Sequence, residues 1–285
     1  MASDDAARPL LIVDGDNLAH RAYHSTPRTV VGADGAPINA VVGFVGMLVN
    51  VWLKEQPRAV FVAWDTLGVD TYRHRLWPQY QSGRVFDPEI VQQLGLLPGL
   101  CETLGLGVGK RAGSEADDLM AAATGAELRR GGSCLLLTTD RDAYQLVSER
   151  VTILAARRGA RELERIGPPE VVARLGVLPE QVPDFKALSG DSSDRIPGLP
   201  GIGPKTAAAL LLKHGTLEGV LEVRARPEEA ELALAFREVA RMRPDVPVEL
   251  PRSGPPDWPA GSATLRRLGA NALAERVAGL AGRRD

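Results

Sequence analysis

The chain has 285 residues, 44% of them hydrophobic and 25% charged, with a formal net charge of −2 and a pI near 6.2. It reads as an ordinary soluble globular protein, long enough for one large domain or two smaller ones. Its apolar runs fall far short of a membrane span, and the acidic start Met1-Ala2-Ser3-Asp4-Asp5 lacks the basic region and long apolar core of a signal peptide, so a cytoplasmic location away from any membrane is expected. Cys101 and Cys134 have no Cys or His partner at metal-ligand spacing and read as core residues rather than a zinc site or a disulfide.

The first half alternates strand-like and helix-like segments. Leu10-Leu11-Ile12-Val13 ends at Asp14, Ala59-Val60-Phe61-Val62-Ala63-Trp64 ends at Asp65, and Cys134-Leu135-Leu136-Leu137-Thr138-Thr139 ends at Asp140. Continuous apolar runs of this length suit strands buried on both faces of a parallel sheet. Helical patterns over Ala40–Trp52, Pro88–Leu104 and Ser114–Arg130 lie between them, which predicts an α/β domain. From about Pro183 the chain becomes Pro/Gly-punctuated and Ala/Leu-rich. Helices are expected over Thr206–His214 and Glu228–Met242, a loop or linker over Pro244–Trp258, and a helical tail over Ser262–Gly282.

Three apolar strands end in Asp. In a parallel α/β sheet, ligands bind outside the carboxyl ends of the strands, so Asp14, Asp65 and Asp140 should converge, with Asp142 two residues beyond Asp140. A single strand-final Asp is an ordinary turn former or cap; three at equivalent places point to a site. Ser114-Glu115-Ala116-Asp117-Asp118 opens a helix, with Ser114 as a candidate N-cap and Asp117 three residues on. Its carboxylates exceed what a cap requires, and Glu115 and Asp118 would share a face. Gly190-Asp191-Ser192-Ser193-Asp194 contributes two more, and would point both the same way if one helical turn forms.

Crowded carboxylates repel unless a cation sits among them. An oxygen-only donor set without His or Cys suits Mg²⁺ or Mn²⁺, and a pair of such ions is a common device for phosphodiester hydrolysis. No Ser/His/Asp or Cys/His arrangement competes. Setting nine clustered acids aside leaves 27 against 34 Lys and Arg, a surface able to bind phosphate despite the acidic total. Gly201-Ile202-Gly203-Pro204-Lys205-Thr206 precedes a helix and reads either as a plain interhelical turn or as a helix–hairpin–helix whose backbone N–H groups hold a phosphate.

Val13-Asp14-Gly15, Trp64-Asp65, Glu115-Ala116-Asp117-Asp118, Thr139-Asp140-Arg141-Asp142, Gly190-Asp191-Ser192-Ser193-Asp194 and Gly201-Ile202-Gly203-Pro204-Lys205 occur in this order. Together they resemble the bacterial and phage 5′ nuclease (flap endonuclease) family over nearly the whole chain, with the closest likeness to the 5′→3′ exonuclease domain of bacterial DNA polymerase I. The chain stops where a polymerase would begin, which reads as a stand-alone member.

The resemblance implies a PIN-like, Rossmann-like parallel-sheet nuclease domain over 1–183 with a helical arch near 80–110. It implies a helical DNA-binding region over 184–285 with a helix–3-turn–helix near 186–215. The implied activity is metal-dependent 5′→3′ exonuclease and 5′-flap endonuclease cleavage in replication and repair, on DNA with a 5′ flap, nick or 5′ end, including RNA primer–DNA. Two or more Mg²⁺ or Mn²⁺ ions would be held mainly by Asp14, Asp65, Glu115 and Asp117 on one side and by Asp140, Asp142 and Asp194 on the other, with Asp118 and Asp191 acting directly or through water. Arg21, Arg73 and Arg84 fall where the family places basic residues near the reacting strand. Gly201, Gly203, Lys205 and Thr206 would contact DNA, with potassium or phosphate bound at that turn. A nucleoid-associated monomer is expected.

Gln81 stands where the family usually has Lys, and no Lys or Arg occurs between Arg84 and Lys110. Gln donates a hydrogen bond but brings no charge. A structure-specific DNA-binding protein with weak or no nuclease activity is therefore the alternative, and a PIN-like ribonuclease acting on single-stranded RNA a third reading.

Overall fold

β1 (Leu10–Asp14) is apolar up to its last residue and buried along its whole length. Such a run must be covered on both faces, as in the middle of a parallel sheet. The computed structural model, which describes residues 8–83, 86–157, 162–224 and 226–282, places it there.

In chain order, α1 (Gly15–Ser25) and α2 (Asn39–Glu55) lead to β2 (Ala59–Trp64), and α3 (Tyr72–Leu76) and α4 (Pro88–Thr103) to β3 (Gly107–Lys110). Next, α5 (Ala116–Arg129) leads to β4 (Cys134–Leu137), and a 3₁₀ turn (Asp142–Leu146) to β5 (Val151–Arg157) and β6 (Glu162–Ile166). The helices α6 (Pro168–Leu175), α7 (Val182–Ser189), α8 (Pro204–His214), α9 (Leu217–Arg224), α10 (Pro227–Ala240), α11 (Trp258–Arg267) and α12 (Asn271–Ala278) complete the chain. The strand order is β3-β2-β1-β4-β5-β6; the first five strands are parallel and β6 runs antiparallel along β5. The chain moves outward from β1 to β3, then returns to β4 on the other side of β1. That reversal makes the carboxyl ends of β1 and β4 the switch point where an α/β sheet opens a crevice.

The two faces separate with a period of two. Leu10, Ile12, Phe61 and Leu136 join the core under α5, α7 and α10, whereas Leu11, Val13, Val62 and Leu137 join the core under α1, α2 and α4. Gly15 is required where β1 gives way to α1: a Cβ there would lie 2.6 Å from the Ala63 carbonyl oxygen and 2.6 Å from the Trp64 ring. This close approach seats the first turn of α1 against β2, directly behind Asp14.

The parallel α/β architecture expected from the three apolar strands is the one observed. The elements without such runs gave no signal. β3 is Gly-Val-Gly-Lys, and β6 is a charged, alternating edge strand of the kind that resists further pairing.

The span 80–110, expected to arch over the site, is for most of its length a core helix. Ile90, Leu94, Leu97, Leu100 and Cys101 of α4 are buried in the core shared with α2, α11 and β3, because their spacing places them on one stripe. Of this span, Tyr80, Gln81, Phe86, Asp87 and Ile90 line the site. The tail also returns to the first half of the chain: Trp258, Leu265, Leu273 and Val277 pack in the core containing α2 and α4, with the Trp258 and Trp52 rings edge-to-face at 5.1 Å. The Pro-rich stretch before it is tied down by Arg58, whose Nη1 donates to the Pro251 carbonyl at 3.3 Å while its Nε donates to buried Glu127 at 2.8 Å. Among the described residues no helix is long and apolar enough to cross a membrane.

Leu97→Ala is therefore expected to lower unfolding free energy by about 2–5 kcal/mol in urea denaturation. An unchanged midpoint would mean that α4 is not part of the core.

Candidate active site

Asp14 is the last residue of β1 and is 6% exposed. One of its oxygens accepts from the Asn17 N–H at 3.1 Å and the other from Thr138 Oγ1 at 2.8 Å, which joins the end of β1 to the end of β4. Thr138 Oγ1 in turn accepts from the Asp140 N–H at 3.0 Å, and an Asp140 oxygen accepts from the Asp142 N–H at 2.9 Å. On the other side, Asp65 follows β2 and accepts from the Ala116 N–H at 2.7 Å, so the same carboxylate fastens the start of α5.

These residues line a cavity of about 560 Å³ together with Asp16, Glu115, Asp117 and Asp194. Seven of the nine carboxylates expected as ligands (Asp14, Asp65, Glu115, Asp117, Asp140, Asp142 and Asp194) thus meet at one place. An eighth, Asp191, sits behind the wall. Single oxygens of Asp142, Asp191 and Asp194 all lie within 4.8 Å of one another. The 191–194 segment is a turn closed by the Asp191–Ile196 bridge rather than a helical turn, and it is compact because Gly190 and Gly198 adopt positive φ with backbone packed where a side chain would go.

Asp118 is different. It does share a face with Glu115, but that face meets Arg73 rather than the cavity. Arg73 Nη1 and Nη2 donate to the two Asp118 oxygens at 2.9 Å each, and the Glu115 and Arg243 N–H groups donate to the same carboxylate. With every direction occupied and 0% exposure, Asp118 faces away from the cavity. The helix N-cap is Glu115, with Asp118 three residues on, not Ser114 with Asp117. The shift by one residue turns Asp117 inward. Arg73, expected beside the reacting strand, is 3% exposed and lies under Glu115 at 3.1 Å. It positions that carboxylate and has no route to a substrate.

Gln81 has φ +46 and points into the cavity, where Nε2 donates to Asp194 at 3.2 Å and to the Tyr80 hydroxyl at 2.7 Å. Tyr80 donates onward to Glu115 at 2.8 Å. Arg84 lies outside the described residues. Arg21 is half-buried on α1, away from the cavity wall, with its Nε making no hydrogen bond. Gly201 and Gly203 are exposed on the connection between α7 and α8, held by buried Leu199 and Ile202, and Lys205 and Thr206 are exposed in the first turn of α8. A Cβ on Gly201 or Gly203 would meet only open space, so the backbone of this turn is accessible.

Two participants were not anticipated. Asp16, one position past Gly15, lines the cavity and accepts from the Asp65 N–H at 2.8 Å. Its signal was the same i, i+2 pairing that drew attention to Asp140 and Asp142. Lys186 lies buried on α7, paired with Asp142 and, at 2.6 Å, with Asp191. A lone Lys inside the apolar stretch Val182–Leu188 was the available cue.

The electrostatics follow from this crowding. Burial, then the charge on Asp65, lifts Asp16 to about 8. Burial, reinforced by Asp140 and Asp65, lifts Asp14 to about 7, and burial with Asp142 lifts Asp194 to about 7 and Asp140 to about 6. Asp191 goes the other way: burial raises it, but Lys186 and Ser193 more than compensate. Burial and mutual repulsion thus favour protons on Asp14, Asp16, Asp117 and Asp194 in the metal-free protein. An all-oxygen, inward-facing donor set of this kind fits hard divalent cations such as Mg²⁺ or Mn²⁺.

Residues 9–176 match the family model for the 5′-3′ exonuclease, N-terminal resolvase-like domain, and residues 177–253 match that for the 5′-3′ exonuclease, C-terminal SAM fold. The chain belongs to the 5′-3′ exonuclease family. It is 41% identical over 224 residues to DNA polymerase I of Mycobacterium bovis, covering 77% of this chain and 25% of that one. It is 36% identical over 275 residues to the thermostable DNA polymerase I of Thermus thermophilus, covering 91% and 32%. The chain therefore spans about a quarter to a third of the length of these curated relatives. Among solved structures, T5 5′-exonuclease with bound zinc superimposes with a TM-score of 0.64 at 22% identity, covering 82% of this chain and 86% of that one. A bacteriophage T5 D15 flap endonuclease complex with DNA and metal ions gives 0.65 at 19%, covering 97% and 94%. These structural likenesses establish the fold.

A pH prediction follows for the metal-free protein. Asp16 titrates near 8 when folded but near 4 when unfolded, so the folded state binds more protons and stability falls as pH rises through that window. Asp16→Asn should raise Tm in EDTA more at pH 8 than at pH 5. An equal shift at both pH values would show that Asp16 is not held protonated.

Proposed function

We propose that the chain is a divalent-metal-dependent 5′ nuclease that hydrolyses phosphodiesters in DNA carrying a 5′ flap, nick or 5′ end, RNA primer–DNA included. The observation that carries this reading is the convergence of carboxylates from the ends of β1, β2 and β4, the start of α5 and the 191–194 turn on one cavity. The T5 relatives whose descriptions name DNA and bound metal ions support it.

In this reading Asp14, Asp65, Glu115 and Asp117 hold one ion, and Asp140, Asp142 and Asp194 a second, with Asp191 acting through Lys186. When bound, the ions supply water activation and charge stabilisation at the phosphate. The chain's own groups orient that centre: Thr138 fixes Asp14, Tyr80 and Arg73 fix Glu115, and Lys186 fixes Asp142. Gln81 offers an uncharged donor at the cavity, Arg21 and Arg84 are assigned to the reacting strand, and Asp118 serves to hold Arg73.

Residues 1–183 with Lys186 and the 191–194 turn are assigned the nuclease chemistry, and the helices that follow that turn, from α8 to α10, the grip on DNA. The accessible Gly201-Ile202-Gly203 backbone, with Lys205 and Thr206, would hold a backbone phosphate or a potassium ion. A monomer working in the cytoplasm near the nucleoid fits this role.

Labelled flap, nicked, single-stranded DNA and RNA substrates with Mg²⁺ or Mn²⁺ test the proposal. Cleavage of the flap and nick, reduced to background by Asp14→Ala, is expected; no cleavage above that variant with either metal would reject it. Because Gln81 lacks charge, Gln81→Lys should raise kcat, by about ten- to a hundredfold. An unchanged kcat would show that the reaction needs no cation at that position.

A further inference from the structure

A second opening lies beyond α5, separate from the carboxylate cavity. We infer that it holds a backbone phosphate of bound DNA, an inference that rests on the nuclease reading above. The opening, of about 230 Å³, is lined by Arg75, Arg111 and Arg243 together with Tyr72, Ser114 and Asp245. Among the described residues none of the three guanidinium groups has a carboxylate within ion-pair distance. Asp118 at its base is buried and already paired with Arg73, so among the described residues Asp245 is the one lining acid without a cationic partner, facing three arginines.

Arg243 is held for the purpose. Its guanidinium lies over the Tyr72 ring at 3.5 Å from the centroid, and its backbone N–H is fixed on Asp118 at 2.9 Å. Stacking sets the plane of the guanidinium and leaves its edge donors unengaged, the arrangement that receives a phosphate in a two-pronged grip. Arg75 and Arg111 are exposed. One exposed arginine is an ordinary surface feature. Three converging on one recess form an anion site, and with a single acid among them the recess stays electropositive.

The position suits a nucleic-acid strand. Arg75 belongs to α3 after β2, and Arg111 follows β3, so the opening sits on the same carboxyl edge of the sheet as the cavity. Glu115 lines the cavity and Asp118 the opening, one turn apart on α5, or about 5 Å along the helix. A DNA strand carries a phosphate every ~3.4 Å of its axis, so a strand lying in the cavity brings others within reach of the opening.

Inorganic phosphate shares this chemistry, and the experiment separates the two sources. Arg75→Gln/Arg111→Gln is made in the wild type and in an Asp14→Ala background, and binding of a labelled 5′-flap duplex is followed across salt concentrations in the uncleaving background. The plot of log affinity against log salt should become shallower by about 1, and affinity at ~100 mM salt should fall about tenfold. Tm should stay unchanged, and so should kcat at saturating DNA, since neither side chain enters the cavity. Should the double variant lose Tm, the single variants carry the same comparison. Unchanged affinity and slope, in a protein whose wild type binds and cuts the duplex, would overturn the inference and leave the nuclease reading intact. Inorganic phosphate raising the Tm of wild type but not of the variant, with the DNA slope unaltered, would reassign the recess to a free anion and also overturn it. A wild type that neither binds nor cuts would remove the nuclease reading itself.

Discussion

Carboxylates repel one another, and this fold holds more than half a dozen of them around one cavity. That arrangement survives because the backbone leaves them nowhere else to go. Asp14 and Asp65 terminate β1 and β2, which are locked side by side in parallel register, and Asp140 follows β4 on the other flank of β1. Releasing the repulsion by moving one of them would require unpacking strands that are buried on both faces. The apolar sheet thus supplies the force that keeps a like-charged cluster assembled, and the cluster retains a standing affinity for cations.

The protein already provides part of the compensation, at the margins. Arg73 lies beneath Glu115 and Asp118 on one side, and Lys186 beneath Asp142 and Asp191 on the other. Burial alone would lower the Lys186 pKa, but Asp142, Asp191 and Asp194 raise it instead. Both cations sit behind the carboxylates rather than among those in the centre. Among the described residues Asp14, Asp16 and Asp117 form no ion pair, and burial with the neighbouring carboxylates pushes them towards the protonated form, against the weaker pull of Lys110 on Asp16 and of Arg73 on Asp117. The uncompensated centre coincides with the switch point of the sheet, which ties the topology to metal-dependent phosphodiester chemistry.

Much of this was legible in the sequence, for a definite reason. Apolar runs that end in Asp encode both the strand and the ligand, so three strands and their carboxylates could be read together. What was missed lacked that coupling. β3 is too glycine-rich to look like a strand, and α4 carries an apolar stripe that marks burial without saying where. Asp118 was expected at the metal because helical spacing gives a face but not what the face meets; a buried arginine from α3, 45 residues earlier, decides it. Lys186 stood out as the one basic residue of α7, but its role was not legible because its partner Asp142 comes from a distant segment of the chain.

The most direct test of the uncompensated centre is a count of protons released when Mn²⁺ is added to the metal-free protein at pH 6.5 in weak buffer. With Asp16 near 8 and Asp14 and Asp194 near 7, binding should expel more than one proton per chain, and fewer after Asp16→Asn. Tight binding without proton release, or no binding at all, would contradict a buried carboxylate cluster that exchanges its protons for divalent cations.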